Sequence, residues 1–149
     1  QRSLVGSEMC IRDRVEECFR SLMKTRQNVD YQKDETLDKK LEAIAQQFQP
    51  DWLDDINGGL TGEARNIIRN ELRDYLTGGV WLWYGEVKPG QSALTQAESM
   101  KQCDMVEIDI LKPGTLLRAI AFTRTDKKSD GHRYYLALLT KATIKTPQT

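Results

Sequence analysis

Histidine and cysteine are scarce in this chain. There is one His, His132, and three Cys, Cys10, Cys18 and Cys103, with no C-x-x-C and no metal-ligand spacing among them. That excludes a disulfide-stapled scaffold and a zinc site built from His and Cys, and it points to a reducing, cytoplasmic setting. Long apolar runs are missing as well. The longest candidate, residues 116–122, is interrupted by Arg118. It falls far short of the roughly 20 residues a spanning helix needs, so no membrane is expected among the partners. No G-x-S-x-G elbow and no Gly-rich phosphate loop occurs, which removes common signatures of hydrolases and nucleotide-binding enzymes. No cofactor is expected. Net charge is absent too, since 22 Lys and Arg balance 22 Asp and Glu. What is present, 39% hydrophobic and 30% charged residues in a 149-residue chain, suffices for one domain with its own core.

The opening stretch fits no helix or strand template. "SLVGSEMCIRDR" covers residues 3–14, preceded by Arg2 but not followed by the apolar run of a secretory signal. Residues 4–13 reverse-translate as CTC GTG GGC TCG GAG ATG TGT ATA AGA GAC, with AG beginning the codon of Arg14. This string resembles the adapter of transposase-based short-read library preparation, read in one frame. The resemblance implies that residues 1–14 are translated adapter and not native, with native sequence beginning near Val15. The expected organisation is then one α+β domain over residues 15–149, truncated at its N-terminus by the start of the insert.

From Val15 onward the pattern is helical. Val15, Cys18, Phe19, Leu22 and Met23 recur at three and four. Asp34 is placed to cap a second helix that carries Leu37, Leu41, Ile44, Ala45 and Phe48 on one stripe and stops before Pro50. Thr61 opens a third, with Ala64, Ile67, Ile68, Leu72, Tyr75 and Leu76 inside and Gly78-Gly79 as its stop. The period then changes. "VWLWYGEV", residues 80–87, reads as a buried strand with Trp81 and Trp83 on one face and Val80, Leu82 and Tyr84 on the other. A capping box at Thr95 and Glu98 predicts a short helix to Cys103. Strand-like runs follow at residues 105–111, 116–125 and 133–144. The expected fold is α+β, with about three N-terminal helices followed by a four-stranded, mostly antiparallel sheet and a short helix between its first two strands.

The zero net charge hides an asymmetry. Residues 15–111 hold seven more acids than bases, and residues 112–149 hold six more bases than acids. A tight turn at Pro113-Gly114 would pair Asp109 with Arg118 and Glu107 with Ile120. Leu117, Ala119 and Ala121 would then face the core, and Leu116, Arg118, Ile120, Phe122 and Arg124 the other side. Setting Tyr135 beside Phe122 places two aromatics among Arg118, Arg124, Arg133 and Lys141. Rings on a sheet flanked by cations are how single-stranded nucleic acid is held, bases stacking while Lys and Arg follow the backbone. These six residues are the predicted nucleic-acid site. The competing arrangement is a sheet covered on both faces by helices with its arginines at the rim, as in a protein-interaction or accessory domain.

Catalytic patterns are thin. Glu86-Val87-Lys88 at a strand end resembles the E-x-K of Mg²⁺-dependent nucleases, but the nearest upstream acid, Asp74, is predicted on a helix. Asp51, Asp54 and Asp55 are explained by capping, and His132 has no evident nucleophile beside it. The sequence therefore predicts a non-enzymatic binding module for single-stranded nucleic acid. A protein-interaction domain is the second reading, and a nuclease using Glu86 and Lys88 the third.

Overall fold

The computed structural model describes residues 7–28, 30–54, 59–73, 76–109 and 115–144. Helix α1 (Ser7–Gln27) ends where Asn28 enters the left-handed region at φ 55°, a conformation Asn tolerates. A two-residue strand, β1 (Gln32–Lys33), precedes α2 (Glu35–Gln47), whose first turn is closed by the Asp34 carboxylate accepting from the Leu37 amide at 2.8 Å. A 3-10 turn (Pro50–Trp52) leads into the small hairpin of β2 (Leu53–Asp54) and β3 (Gly59–Leu60). Thr61 caps α3 (Gly62–Leu72) through its hydroxyl, which accepts from the Ala64 amide at 3.2 Å. Both caps fall where Ser, Thr, Asp and Asn are preferred. After these come β4 (Leu76–Glu86), α4 (Ala93–Glu98), β5 (Lys101–Asp109), β6 (Thr115–Leu117), β7 (Ala119–Arg124) and β8 (Tyr134–Ile144).

The fold class is α+β, as expected, but the sheet is wider and mixed. Its order is β1-β7-β8-β4-β5, with β6 also beside β8, and only β1 runs parallel to its neighbour, β7. The expected hairpin of residues 105–111 with residues 116–125 does not form. β5 pairs with β4 instead, and β7 pairs with β8. The Pro113-Gly114 turn lies outside the described residues. The reason lies in β4, an apolar strand that needs neighbours on both edges, and β8 and β5 supply them.

Three helix boundaries also differ. α1 begins at Ser7 and not at Val15, so it takes in part of the stretch expected to fit no helix. α3 stops at Leu72, and Leu76 already belongs to β4, so Gly78 and Gly79 sit inside a strand instead of ending a helix. The β4–β5 register shifts between these two glycines, as strand glycines at bulges do. α4 is capped by Ser92, not Thr95, and ends at Glu98, so Cys103 lies in β5.

The core is split by the sheet. On one face Val80, Leu82, Ala119, Ala121, Leu136 and Leu138 pack under α2 and α3. On the other, Trp83, Ile120, Phe122, Tyr135, Ala137 and Leu139 pack under Val15, Phe19 and Met23 of α1 and Ala97 of α4. Residues 134–140 of β8 are buried on both faces, which is why "YYLALLT" reads as a continuous apolar run. No helix among the described residues is long and apolar enough to cross a membrane.

Candidate nucleic-acid interface

Three of the six predicted residues flank or end strands, Lys141 lies inside β8, and two lie within the core. Phe122 and Tyr135 do share a face, because β7 and β8 are antiparallel with Phe122 opposite Ala137 and Arg124 opposite Tyr135. Their ring centroids are 5.5 Å apart at an interplanar angle of 35°. Ala119 and Ala121 face the opposite core, again as the alternation implies. What differs is the covering. Phe122 is 2% and Tyr135 0% exposed. Phe19 of α1 stands 6.0 Å from the Phe122 ring and 5.4 Å from that of Trp83. A base cannot stack on either ring while α1 is docked, so in this arrangement the predicted stacking platform is core.

Of the predicted cations Arg124 stands across the strand pair from Tyr135, but the four are not gathered in one place. Arg124 and Arg133 lie at one end of the β7–β8 pair, both half-buried. Arg118 precedes β7 at the other end, close enough to Tyr31 to oppose the upward pKa shift that burial gives the phenol. At about 3.3 Å per strand residue, Arg118 and Arg124 are roughly 20 Å apart. Lys141 pairs with Gly79 in the β8–β4 ladder, and its side chain lies outside the described residues.

A polar cluster that sequence reasoning missed closes the outer edge of β7. β1 pairs only with Ala119 and Ile120, leaving the next outward backbone groups of β7 without a strand. Asp38 of α2 accepts from the Phe122 amide at 3.2 Å, and Arg12 of α1 donates to the Phe122 carbonyl at 2.8 Å. The Arg12 guanidinium also lies 5.5 Å from the centroid of the Phe122 ring. Glu16, only 7% exposed, binds Arg12 at 2.5 Å and Lys33 at 3.3 Å. Burial raises the pKa of Asp38 and Glu16 adds to this, against the Phe122 amide, Lys33 and Arg12, which lower it. In sequence Asp38 is indistinguishable from a first-turn acid favoured by the helix dipole. The far edge, β5, is irregular in a different way, with register shifts between Gly78 and Gly79 and between Trp81 and Trp83 of its partner strand. Side-chain plugs and bulges of this kind blunt sheet edges against further pairing.

The E-x-K residues do meet, but as an ion pair. Lys88 Nζ is 2.8 Å from one oxygen of Glu86, and His132 Nδ1 is 3.8 Å from the other. Beside them Tyr134 donates a short hydrogen bond to the exposed Asp130 carboxylate, which also accepts from the His132 amide at 2.9 Å. The Tyr134 bond holds the Asp130 carboxyl below its ordinary pKa. Asp74 and Asp55 fall outside the described residues. Among the described residues no group of three or more His, Cys, Asp or Glu side chains is placed to hold a metal ion. Compared with protein-family models, with curated proteins and with solved structures, the chain matches none of them.

Proposed function

We propose that this chain is a non-catalytic protein-interaction domain whose sheet is scaffold and whose partner meets the outer surface of the helices and loops. The observation that supports this reading over nucleic-acid binding is the burial of Phe122 and Tyr135 under α1. Stacking supplies roughly 1–3 kcal/mol per base in single-strand binders, and without exposed rings only the phosphate attraction of scattered cations is left. The separation of Arg118 from Arg124 and Arg133 weakens even that. The Glu86–Lys88 ion pair likewise leaves the lysine occupied with its own carboxylate.

A salt series with labelled dT and rU oligonucleotides tests the proposal. No affinity is expected above the weak, steeply salt-dependent attraction of any basic surface, with Arg124→Ala and Tyr135→Ala making no selective difference. Tight binding that either substitution abolishes in a folded variant would overturn it and restore the sheet as the site. Cross-linking in source-cell extract, followed by reconstitution with the purified partner, is expected to give a defined protein complex. Failure to reconstitute any complex would also sink the reading.

A further inference from the structure

The outer surface of α1 borders a groove that the fold leaves open. α1 buries Val15, Phe19 and Met23 against the sheet, while Cys18 and Leu22 are half-buried and reach that core only from its margin. Beyond them a groove of about 360 Å³ runs between α1 and α4, walled by Cys18, Ser21, Leu22 and Thr25 on one side and Leu94 on the other. Leu94 is 50% exposed and is the one large hydrophobic side chain so placed among the described residues. All of these wall residues follow Val15 in the chain, so the groove owes nothing to the adapter-like arm.

The charges along its edge select the occupant. Glu17 and Lys24 are both exposed, and neither has an ion-pair partner among the described residues. Seven residues at 3.6 per turn put them on the same edge of α1, about 10 Å apart along its axis. A second α1 laid antiparallel about a twofold axis beside Ser21 sets each Glu17 level with the other copy's Lys24. A parallel copy would set like charge against like, which costs specificity and affinity. Ser21, exposed near the midpoint, is small enough for two helices to approach within about 8–10 Å. We propose that this groove is the contact of a symmetric homodimer in which two α1 helices pair antiparallel, Glu17 faces Lys24 at both ends, and both copies of Leu22 and Leu94 leave water. This rests on the interaction-domain reading and supplies its partner, a second copy of the chain. One helix face buries less than the roughly 1,200 Å² of a standard interface, so the dimer belongs with weak, transient complexes.

Sedimentation equilibrium of the full chain from about 10 μM to 1 mM, under reducing conditions, tests the dimer. The expected dissociation constant is on the order of 100 μM. Glu17→Lys and Lys24→Glu each turn two attractive pairs repulsive and should weaken association at least about tenfold. The double exchange should restore it to within about threefold of the parent, a recovery that two independent surface changes would not give. Leu94→Gln, at an exposed position, should weaken association about tenfold without lowering the Tm. A parent chain still monomeric at about 1 mM, a double exchange as weak as the single ones, or a dimer indifferent to Leu94→Gln would each overturn the proposal. A monomer that reconstitutes a complex with a different protein overturns the homodimer alone, whereas a chain that forms neither complex takes the interaction-domain reading with it.

Discussion

Tyr134 and Tyr135 are adjacent in sequence, but replacing each with Phe should move stability in opposite directions. Tyr135 is fully buried, and its hydroxyl lies beside the Arg124 guanidinium without a hydrogen bond of good geometry. Leaving such a group unsatisfied costs about 1–3 kcal/mol, and Tyr135→Phe removes the group with its cost. Against this stands the loss of a few oxygen contacts, each worth about 0.1–0.2 kcal/mol. The expected net is a stabilisation of about 1 kcal/mol, or roughly 2–4 °C in Tm for a chain of this size. Tyr134 points to the other face and donates its hydroxyl to the Asp130 carboxylate. Tyr134→Phe therefore loses a charge-assisted bond with nothing gained, and its urea midpoint should fall. Paired urea melts with unchanged slope would establish both signs as effects on the folded state. A Tyr135→Phe protein less stable than the parent would mean that the hydroxyl has a partner. That result would refute the expected stabilisation.

The other predictions concern packing, titration and the arm. An added Cβ at Gly85 would lie 2.8 Å from Met100 Cγ and 3.3 Å from Met100 Cα, so Gly85→Ala should destabilise by about 1–3 kcal/mol in urea melts; a neutral result would mean that the segment after α4 yields freely. Asp38 has a raised folded pKa, so its contribution to stability is fully present below the unfolded pKa and lost as pH rises through the folded one. The stability of the parent minus that of Asp38→Asn should accordingly decline as pH rises from the ordinary Asp range, and a flat difference would contradict the burial of this carboxyl. Asp130 should titrate below the ordinary carboxylate range by ¹³C NMR and move upward in Tyr134→Phe, whereas an unchanged midpoint would detach the shift from that hydrogen bond. Re-amplified source DNA should encode something other than "LVGSEMCIRD" ahead of Val15, and recovery of the same codons would disprove the adapter reading.

The elements that were legible in the sequence are those fixed by short-range chemistry. Asp34 and Thr61 were identifiable as caps because their side chains bond within three residues. The faces of β7 and β8 followed from strict alternation, which is why Phe122 and Tyr135 were correctly placed side by side. Strand neighbours were not legible, because pairing β4 with β5 and β8 depends on contacts across the whole chain and on glycines at 78 and 79 that suit a bulge as well as a helix stop. The covering of the Phe122 face is a different matter, because the sequence does contain its constraint. The stripes of α2 and α3 fill one face of the sheet, yet Val15, Phe19 and Met23 of α1 form a third apolar stripe that also requires a partner. The one apolar surface left for it is the face bearing Ile120, Phe122, Tyr135, Ala137 and Leu139. An aromatic pair flanked by arginines is thus a binding platform only when no unmatched amphipathic helix is available to bury it. Here α1 is that helix, and its docking is what turns a plausible nucleic-acid surface into core.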